Sequence, residues 1–561
     1  MSASDDWLDS KRLIGPSLFS RHPGALLEVA GEGAEFDARL QRWREHVIAI
    51  IADFYWPAID PVVRPHPGGA MLVIAAPEDQ LFTATEICEA AWVASFEAEG
   101  RIEERERNRL AELGSDEADP KGLTLLQDAR RRGIPGFIDD DGVQVGFGRF
   151  GVGFEPGKAP QDIDWDPLGG VPIALLTGTN GKTTTSRMLA AMARAAGEVP
   201  ALTSTDGALV GDRVLDPGDY AGPGGARLVL RESAVTLGVL ETARGGLLRR
   251  GLAVDHADVA VVTNIGEDHL GDGGVNTLDD LADVKFLVMT VLGERGIAVL
   301  NRDDPYCRAR GEQLTCRKAW FSMKPPPNGE ANSEWAAQWA WLENDQLWLA
   351  RRGEAPQALI GIDQMPISLG GAALHNVTNA LTAVSAAAAL GIPVEAMRTT
   401  LGTFGRDPED NSGRATLMDV NGIKVLLDFG HNPDGMHAVM GTASRLGAKR
   451  IHVVLGQAGD RSDEAIRDLA RAAVEAGATR FVLKEMAEYR RGREPGEVTG
   501  LIRQQLDELG VPDADIAMAE EELEASQLAI DNAAPGDLVL LFVHADKEPV
   551  IAALRERSGN S

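Results

Sequence analysis

Residues 171–185 read VPIALLTGTNGKTTT and run into SRMLAAMARAAG. An apolar run of strand length meets a helix-spaced run of small residues, with two glycines between them. A strand that turns through glycine into a helix aims backbone N–H groups and the positive helix end at an anion. Gly178 and Gly181 let the main chain come close, and Thr179, Asn180 and Thr184 complete the loop. Lys182 brings a point charge to the outer phosphates of a nucleotide, and the Thr183 hydroxyl takes a Mg²⁺ position. The full phosphate-loop pattern has a glycine five residues before Gly181; this chain has Leu176 there, so the match is to the shorter GxxGKT. An ordinary strand–helix turn is the competing explanation. Either way the unit needs parallel neighbours to cover its strand, which points to an α/β fold.

The alternation continues on both sides. VPIALLTG, HADVAVVTNI and GIAVLN are strand-length runs separated by helical stretches, and ALHNVTNALTAVSAAAALG closes the region as a helix ended by Gly391. KVLLDFG, KRIHVVLG, TRFVLKE and GDLVLLFV repeat the rhythm further on. Before residue 160 the patterns are mixed: EFDARLQRWREHVIAIIADF is an amphipathic helix, AMLVIAAP a strand, and residues 79–114 one long helix or two. A chain of 561 residues exceeds a single core, and about three domains is its natural division. The expected parts are an α+β accessory region over 1–165, a central nucleotide-binding α/β region with a parallel sheet over 166–408, and a smaller α/β region over 409–561.

The formal charge of −30 excludes a general affinity for nucleic acid or an anionic membrane surface. It suits a solvated acidic surface or a salt-rich interior. The three cysteines, Cys88, Cys307 and Cys316, form no metal-type pair and no disulfide framework. No apolar run nears membrane-spanning length, and MSASDDWLDSKR lacks the apolar centre of a leader, so a cytoplasmic location is expected.

Motifs beyond the loop come in a fixed order. Glu241 and Arg244 lie in LETARGGLLRRGL; Asn264, Asp268 and His269 in VVTNIGEDHLG; Lys285 in LDDLADVKFLV. His375, Asn376 and Asn379 follow in ALHNVTNAL, Gly413 and Arg414 in SGRATL, and Asp428, His431, Asn432 and Pro433 in LLDFGHNPDG. With TGTNGKTTT, this series resembles the Mur ligase family, whose members use ATP to join an amine to a carboxylate. ETARGG, NIGEDHLG, LADVK, NRDDP, RDPEDNSGR and RRGREPGE are most similar to the Mur-ligase-like part of the cyanophycin synthetases. RLIGPSLFSRHPGALLEV resembles the N-terminal part of the same enzymes. In those polymerases an ATP-grasp domain separates the two parts; here they run together, which implies that one of the two ligase activities is missing.

The resemblance implies a Mur-type central ATPase region and a ligand set. Thr183, supported by Thr203 or Ser204, would hold one Mg²⁺; Glu241 and His269 would serve a second. Alone, Glu241 is as well a surface carboxylate and His269 a core histidine. In many Mur ligases the lysine matching Lys285 is carbamylated by CO₂, turning a cation into an anion able to face metal. Asn376 and Asn379, three apart on one helix face, suit an adenine edge, with helix-end capping as the alternative. Arg414 would reach phosphate and Asp428 the ribose hydroxyls, with His431 at the same cleft or buried structurally. Lys182, Glu241, His269, Lys285 and Arg244 are the expected catalytic set, Arg244 facing the reacting carboxylate. Arg490, Arg491 and Arg493 either clamp the incoming amino acid's carboxylate or form a solvated charge run.

The expected activity is ligation of an amino acid to a carboxylate of an aspartyl peptide or similar polymer through an acyl phosphate, as in cyanophycin-related metabolism. ATP and two Mg²⁺ ions would be the cofactors. Two other readings stay open: a nucleotide-binding, non-catalytic partner of another ligase, and an ATPase or kinase without ligation. Self-association and a separate ATP-grasp partner are also left open by the sequence.

Overall fold

The computed structural model describes residues 7–54, 56–97, 101–268, 270–271, 273–327, 336–459 and 461–558. The chain opens with a four-stranded antiparallel sheet, ordered Trp7–Leu13, Gly24–Ala30, Gly69–Ala75, Val62–His66. The helices Ala34–Ile51 and Leu81–Ala94 pack on it around buried Trp43 and Trp92. The Trp43 indole N–H donates to the Cys88 carbonyl at 3.1 Å, the partner a buried indole needs. The 79–114 stretch resolves into two helices, Leu81–Ala94 and Glu104–Glu117. A three-stranded sheet of Gly136–Asp139, Gly142–Val145 and Val152–Phe154 follows.

An eleven-stranded sheet forms the centre. Seven parallel strands run side by side: Pro200–Ser204, Leu237–Glu241, Ile173–Thr177, Ala257–Val262, Leu292–Asn301, Arg317–Ser322 and Ala336–Glu343. Antiparallel strands extend both edges, Gly207–Val210 and Arg213–Asp216 on one side, Gln346–Arg351 and Gln357–Gly361 on the other. The parallel strands are buried on both faces, so they read as continuous apolar runs rather than alternating ones. From Ile173–Thr177 the chain crosses to Pro200–Ser204 and later returns to Ala257–Val262 on the opposite flank. The order reverses at the phosphate-loop strand, and the crevice at such a reversal lies beyond the carboxyl ends of the strands.

A six-stranded sheet completes the fold, ordered Thr416–Val420, Ile423–Asp428, Leu538–Phe542, Ile451–Leu455, Ala478–Lys484, Ile516–Ala519, parallel except for its first hairpin. No helix among the described residues is long and apolar enough to cross a membrane.

Candidate functional site

The loop between Ile173–Thr177 and the helix Lys182–Ala195 is built by glycine. Gly178 and Gly181 have φ of 146° and 82°. A Cβ on Gly178 would meet Thr263 Oγ1 at 1.9 Å, and one on Gly181 would meet Asn379 Oδ1 at 2.1 Å. The loop is pinned from the side: Asn180 N–H donates to Asn264 Oδ1 at 2.9 Å, and the Asn180 carbonyl accepts from Thr263 Oγ1 at 2.6 Å and Asn264 Nδ2 at 3.1 Å. Thr179 N–H donates to the Asn264 carbonyl at 2.9 Å. Lys182 curls back, its Nζ donating to the carbonyls of Gly178 at 3.0 Å and Thr179 at 2.9 Å.

This loop floors a cavity of about 370 Å³ whose walls come from both large sheets. The central region lines it with Thr179–Thr184, Thr205, Glu241, His375, Asn376 and Asn379; Arg414, Asp428, Phe429 and His431 close it from the C-terminal side. Asn376 Nδ2 donates to the Ile367 carbonyl at 3.1 Å and Asn379 Nδ2 to Asn376 Oδ1 at 3.1 Å, so each amide has a fixed orientation. The two sides touch directly. Asn180 and Asn432 exchange reciprocal amide hydrogen bonds at 3.1 and 2.9 Å, and Arg414 Nη2 donates to Thr205 Oγ1 at 2.9 Å.

Glu241 ends its strand at the cavity wall and is buried. Its Oε2 accepts from Thr183 Oγ1 at 2.9 Å, while Oε1 is buried without a hydrogen-bond partner among the described residues. Burial pushes its carboxyl above the ordinary range, against the pull of Lys182 and Arg414. Asp428 accepts from the Ala415 and Gly430 N–H groups, both at 2.7 Å; burial nevertheless raises it to about 6. Burial lowers His375 and His431, each to about 4, so both rings are neutral near pH 7. Lys285, on the helix Leu278–Phe286, donates to the Gly178 carbonyl at 2.7 Å from beneath the loop. Burial first, then the charge of Lys182, holds its amine well below the ordinary lysine range.

Among the described residues no group of three or more His, Cys, Asp or Glu is placed to hold a metal. The donors present still suit Mg²⁺, which takes one or two protein oxygens and fills its octahedron with water and substrate phosphate. The orphaned Glu241 Oε1 and the hydroxyls of Thr183 and Thr205, which lie 3.2 Å apart, are such a set. Backbone N–H groups at a helix start, with Lys182 and Arg414, suit a polyphosphate.

Most residues singled out in the sequence converge here. His269 lies outside the described residues. Thr203 is buried in its strand with Oγ1 unpartnered, and Thr205, just past the strand end, is the threonine that lines the cavity. Arg244 begins the helix Arg244–Arg250 and is buried; it does not line the cavity, and its charge acts on Lys285 beneath the loop. Arg493 is committed to its own lobe, donating to the carbonyls of Gly459 and Arg461 and to Asp463 and Glu497. Arg490 donates to Glu485. Sequence reasoning missed Thr205 and Phe429; both directly follow strands, in TSTDG and LLDFG, where a nucleotide crevice would be lined.

The Mur ligase middle domain matches residues 176–387, and the Mur ligase glutamate ligase domain matches residues 413–542. The chain belongs to the Mur ligase family. Among curated relatives it is 37% identical over 373 residues to cyanophycin synthetase of Crocosphaera subtropica, and 36% identical over 381 residues to that of Synechocystis sp.. Each alignment covers 66% of this chain and 42% of the relative, so the chain spans about two fifths of their length. UDP-N-acetylmuramoyl-L-alanyl-D-glutamate–2,6-diaminopimelate ligase of Listeria monocytogenes is 25% identical over 393 residues, covering 67% of this chain and 73% of that one. A solved UDP-N-acetylmuramoylalanyl-D-glutamyl-2,6-diaminopimelate–D-alanyl-D-alanyl ligase from Acinetobacter baumannii superposes with a TM-score of 0.48 at 17% identity, covering 69% of this chain and 76% of that one.

Proposed function

We propose that the chain is an ATP- and Mg²⁺-dependent ligase that forms an amide between an amino acid and a carboxylate of an aspartyl peptide or similar polymer. The observation that carries this reading is a single cavity shared by the Thr179–Thr184 loop and Glu241 on one side and Arg414, Asp428 and His431 on the other. Three parts, 1–165, 166–408 and 409–561, divide the work: an accessory region, an ATP-holding region and a closing region.

A carboxylate does not react with an amine in water without activation. Transfer of the γ-phosphoryl group to the carboxylate gives an acyl phosphate; the amine attacks its carbonyl and phosphate departs with the bonding electrons. Such transfer needs positioning and charge neutralisation more than covalent help from the protein. The loop N–H groups, Lys182 and Arg414 take the phosphates, Asn376 and Asn379 the base, and Asp428 the ribose hydroxyls. Thr183 and Glu241 would hold Mg²⁺, which would supply charge neutralisation at the phosphates, with Thr203, His269 and Lys285 as further candidates for a two-ion site. The uncharged amine favoured by burial at Lys285 is the form that reacts with CO₂, and the positive charge of Lys182 and Arg244 nearby favours the anionic carbamate that would result. Arg244 serves the reacting carboxylate. Contacts from two lobes let closure keep water from a hydrolysable intermediate.

Amino acids screened against aspartyl dipeptides and short polymers, with phosphate release and product masses as readouts, test the proposal. Amine-dependent phosphate release with one new amide per phosphate is expected, abolished by Lys182→Ala. Equal release with and without amino acid would make the chain an ATPase and end the ligase reading.

A further inference from the structure

Asp206 has no part in the scheme above, yet it is a heavily engaged carboxylate at the lobe junction. It follows Thr205, lies outside the cavity lining, and its side chain is 13% exposed. Three cations surround it. Arg187 Nη2, from the phosphate-loop helix, stands 3.2 Å from Oδ2; Arg414 Nε, from the C-terminal lobe, 3.6 Å from Oδ2; Lys547 Nζ, also C-terminal, 3.7 Å from Oδ1. Burial alone would raise this carboxyl; Arg414, Arg187 and Lys547 outweigh burial and hold it below the ordinary range.

Each cation is mounted firmly. Arg187 Nη1 also donates to the carbonyls of Glu409 at 3.1 Å and Asp410 at 3.3 Å, on the connection between the lobes. Arg414 sits between Gly413 and Ala415, whose φ values are 72° and 50°; the second is a strained conformation for a residue with a Cβ. Lys547 follows a loop fixed by Glu522, which accepts from the N–H groups of His544, Ala545 and Asp546 and from buried Lys484 Nζ at 2.5 Å. Arg414 turns its Nε edge toward Asp206 and its Nη2 toward Thr205 in the cavity wall. At 3.6 Å the Nε–Oδ2 approach is an ion pair rather than a hydrogen bond, so the carboxylate draws the guanidinium by charge while the Thr205 bond gives it direction in the cavity wall.

We propose that Asp206 is a positioning residue for the nucleotide step: its carboxylate is the catch that holds the C-terminal lobe, through Arg414 and Lys547, against the phosphate loop and aims Arg414 into the cavity. The proposal rests on reading that cavity as the ATP site. Removing its charge takes away one set of lobe-to-lobe contacts and loosens a junction that the Asn180–Asn432 pair and the Arg187 bonds to the Glu409 and Asp410 carbonyls still hold.

The test uses the full chain with Asp206→Asn, Asp206→Glu and Lys547→Ala. Solution X-ray scattering without ligand reads the lobe junction, and calorimetric titration with Mg²⁺ and a non-hydrolysable ATP analogue reads affinity. Asp206→Asn is expected to enlarge the radius of gyration and to raise Kd about tenfold or more. Asp206→Glu restores most of both, and Lys547→Ala, at a partly exposed site, shifts both the same way by less. A wild-type radius and Kd in Asp206→Asn, or tighter binding of the analogue, overturns the catch. Absence of amide product from a wild-type chain that binds the analogue counts against the proposed ligation alone, because the ligand-free scattering decides the catch independently.

Discussion

Replacing Asn432 by alanine tests whether side-chain amides join the two lobes. Asn432 is fully buried; it donates to Asn180 Oδ1 at 2.9 Å and accepts from Asn180 Nδ2 at 3.1 Å and from the Gly435 N–H at 2.9 Å. The third bond caps the helix Pro433–Arg445. Three hydrogen bonds at about 1 kcal/mol each give an expected loss of about 3 kcal/mol, with up to ~2 more if the Asn180 amide is left dry. Asn432→Ser keeps a capping oxygen and loses only the cross-lobe pair, so its loss is smaller by about 1 kcal/mol. A cycle of Asn180→Ala, Asn432→Ala and the double variant, followed by calorimetric unfolding at one pH and salt, should return a coupling of about 2 kcal/mol. Coupling under about 0.5 kcal/mol, the level of independent sites, would refute the pairing.

Lys285→Met is expected to abolish ATP turnover while lowering the melting temperature little, since burying an amine already opposes folding; calorimetry beside a turnover assay reads both. Affinity for the ATP analogue should fall as pH drops through about 6, where Asp428 gains a proton, with no inflection from His431, which stays neutral down to about 4; a binding titration from pH 5 to 8 shows it. Gly181→Ala forces a Cβ onto Asn379 at a φ of 82°, and about 1–2 kcal/mol of backbone strain plus a displaced Asn379 should weaken adenine discrimination more than phosphate binding, measured with ATP against GTP analogues. Glu241→Gln should leave the fold intact and raise the Mg²⁺ concentration for half-maximal turnover, because Oε1 has no hydrogen-bond partner to lose among the described residues.

The phosphate loop was legible because its signal is local: glycines at set spacing, a strand before, a helix after. Asn376 and Asn379 were legible for the same reason, three apart on one helix. Thr205, Asp206 and Lys547 were not, because what makes them matter is far away in sequence. Arg414 meets Thr205 across 209 positions. Arg493 shows the converse: the density of arginines at 490–493 left a carboxylate clamp and a solvated charge run equally open, and only the structure shows the carbonyls of Gly459 and Arg461 taking donors of Arg493. The antiparallel edge of the central sheet was also unread. Its alternating tryptophans fit a two-sided strand, and the stacked Trp341–Trp348 pair, with ring centroids 6.1 Å apart, exists only once Ala336–Glu343 and Gln346–Arg351 pair.

A chain of formal charge −30 has to hold a polyanion without being repelled by its own surface. The cavity meets this in two ways. Part of its attraction comes from loop N–H groups and a helix start, which add no net charge. The rest comes from cations brought in from distant segments: Lys182 over the loop carbonyls, Arg414 in the wall, and Arg187 and Lys547 behind it around Asp206. Around Asp206 three cations face one carboxylate, which offsets part of the negative charge that Glu241, Asp304, Asp428 and Asp434 bring to the cavity wall. The surface carboxylates responsible for the global excess are screened over about 8 Å at physiological ionic strength. Net charge therefore shapes which macromolecules the surface meets, and the few contacts at the lobe junction govern what the cleft can bind.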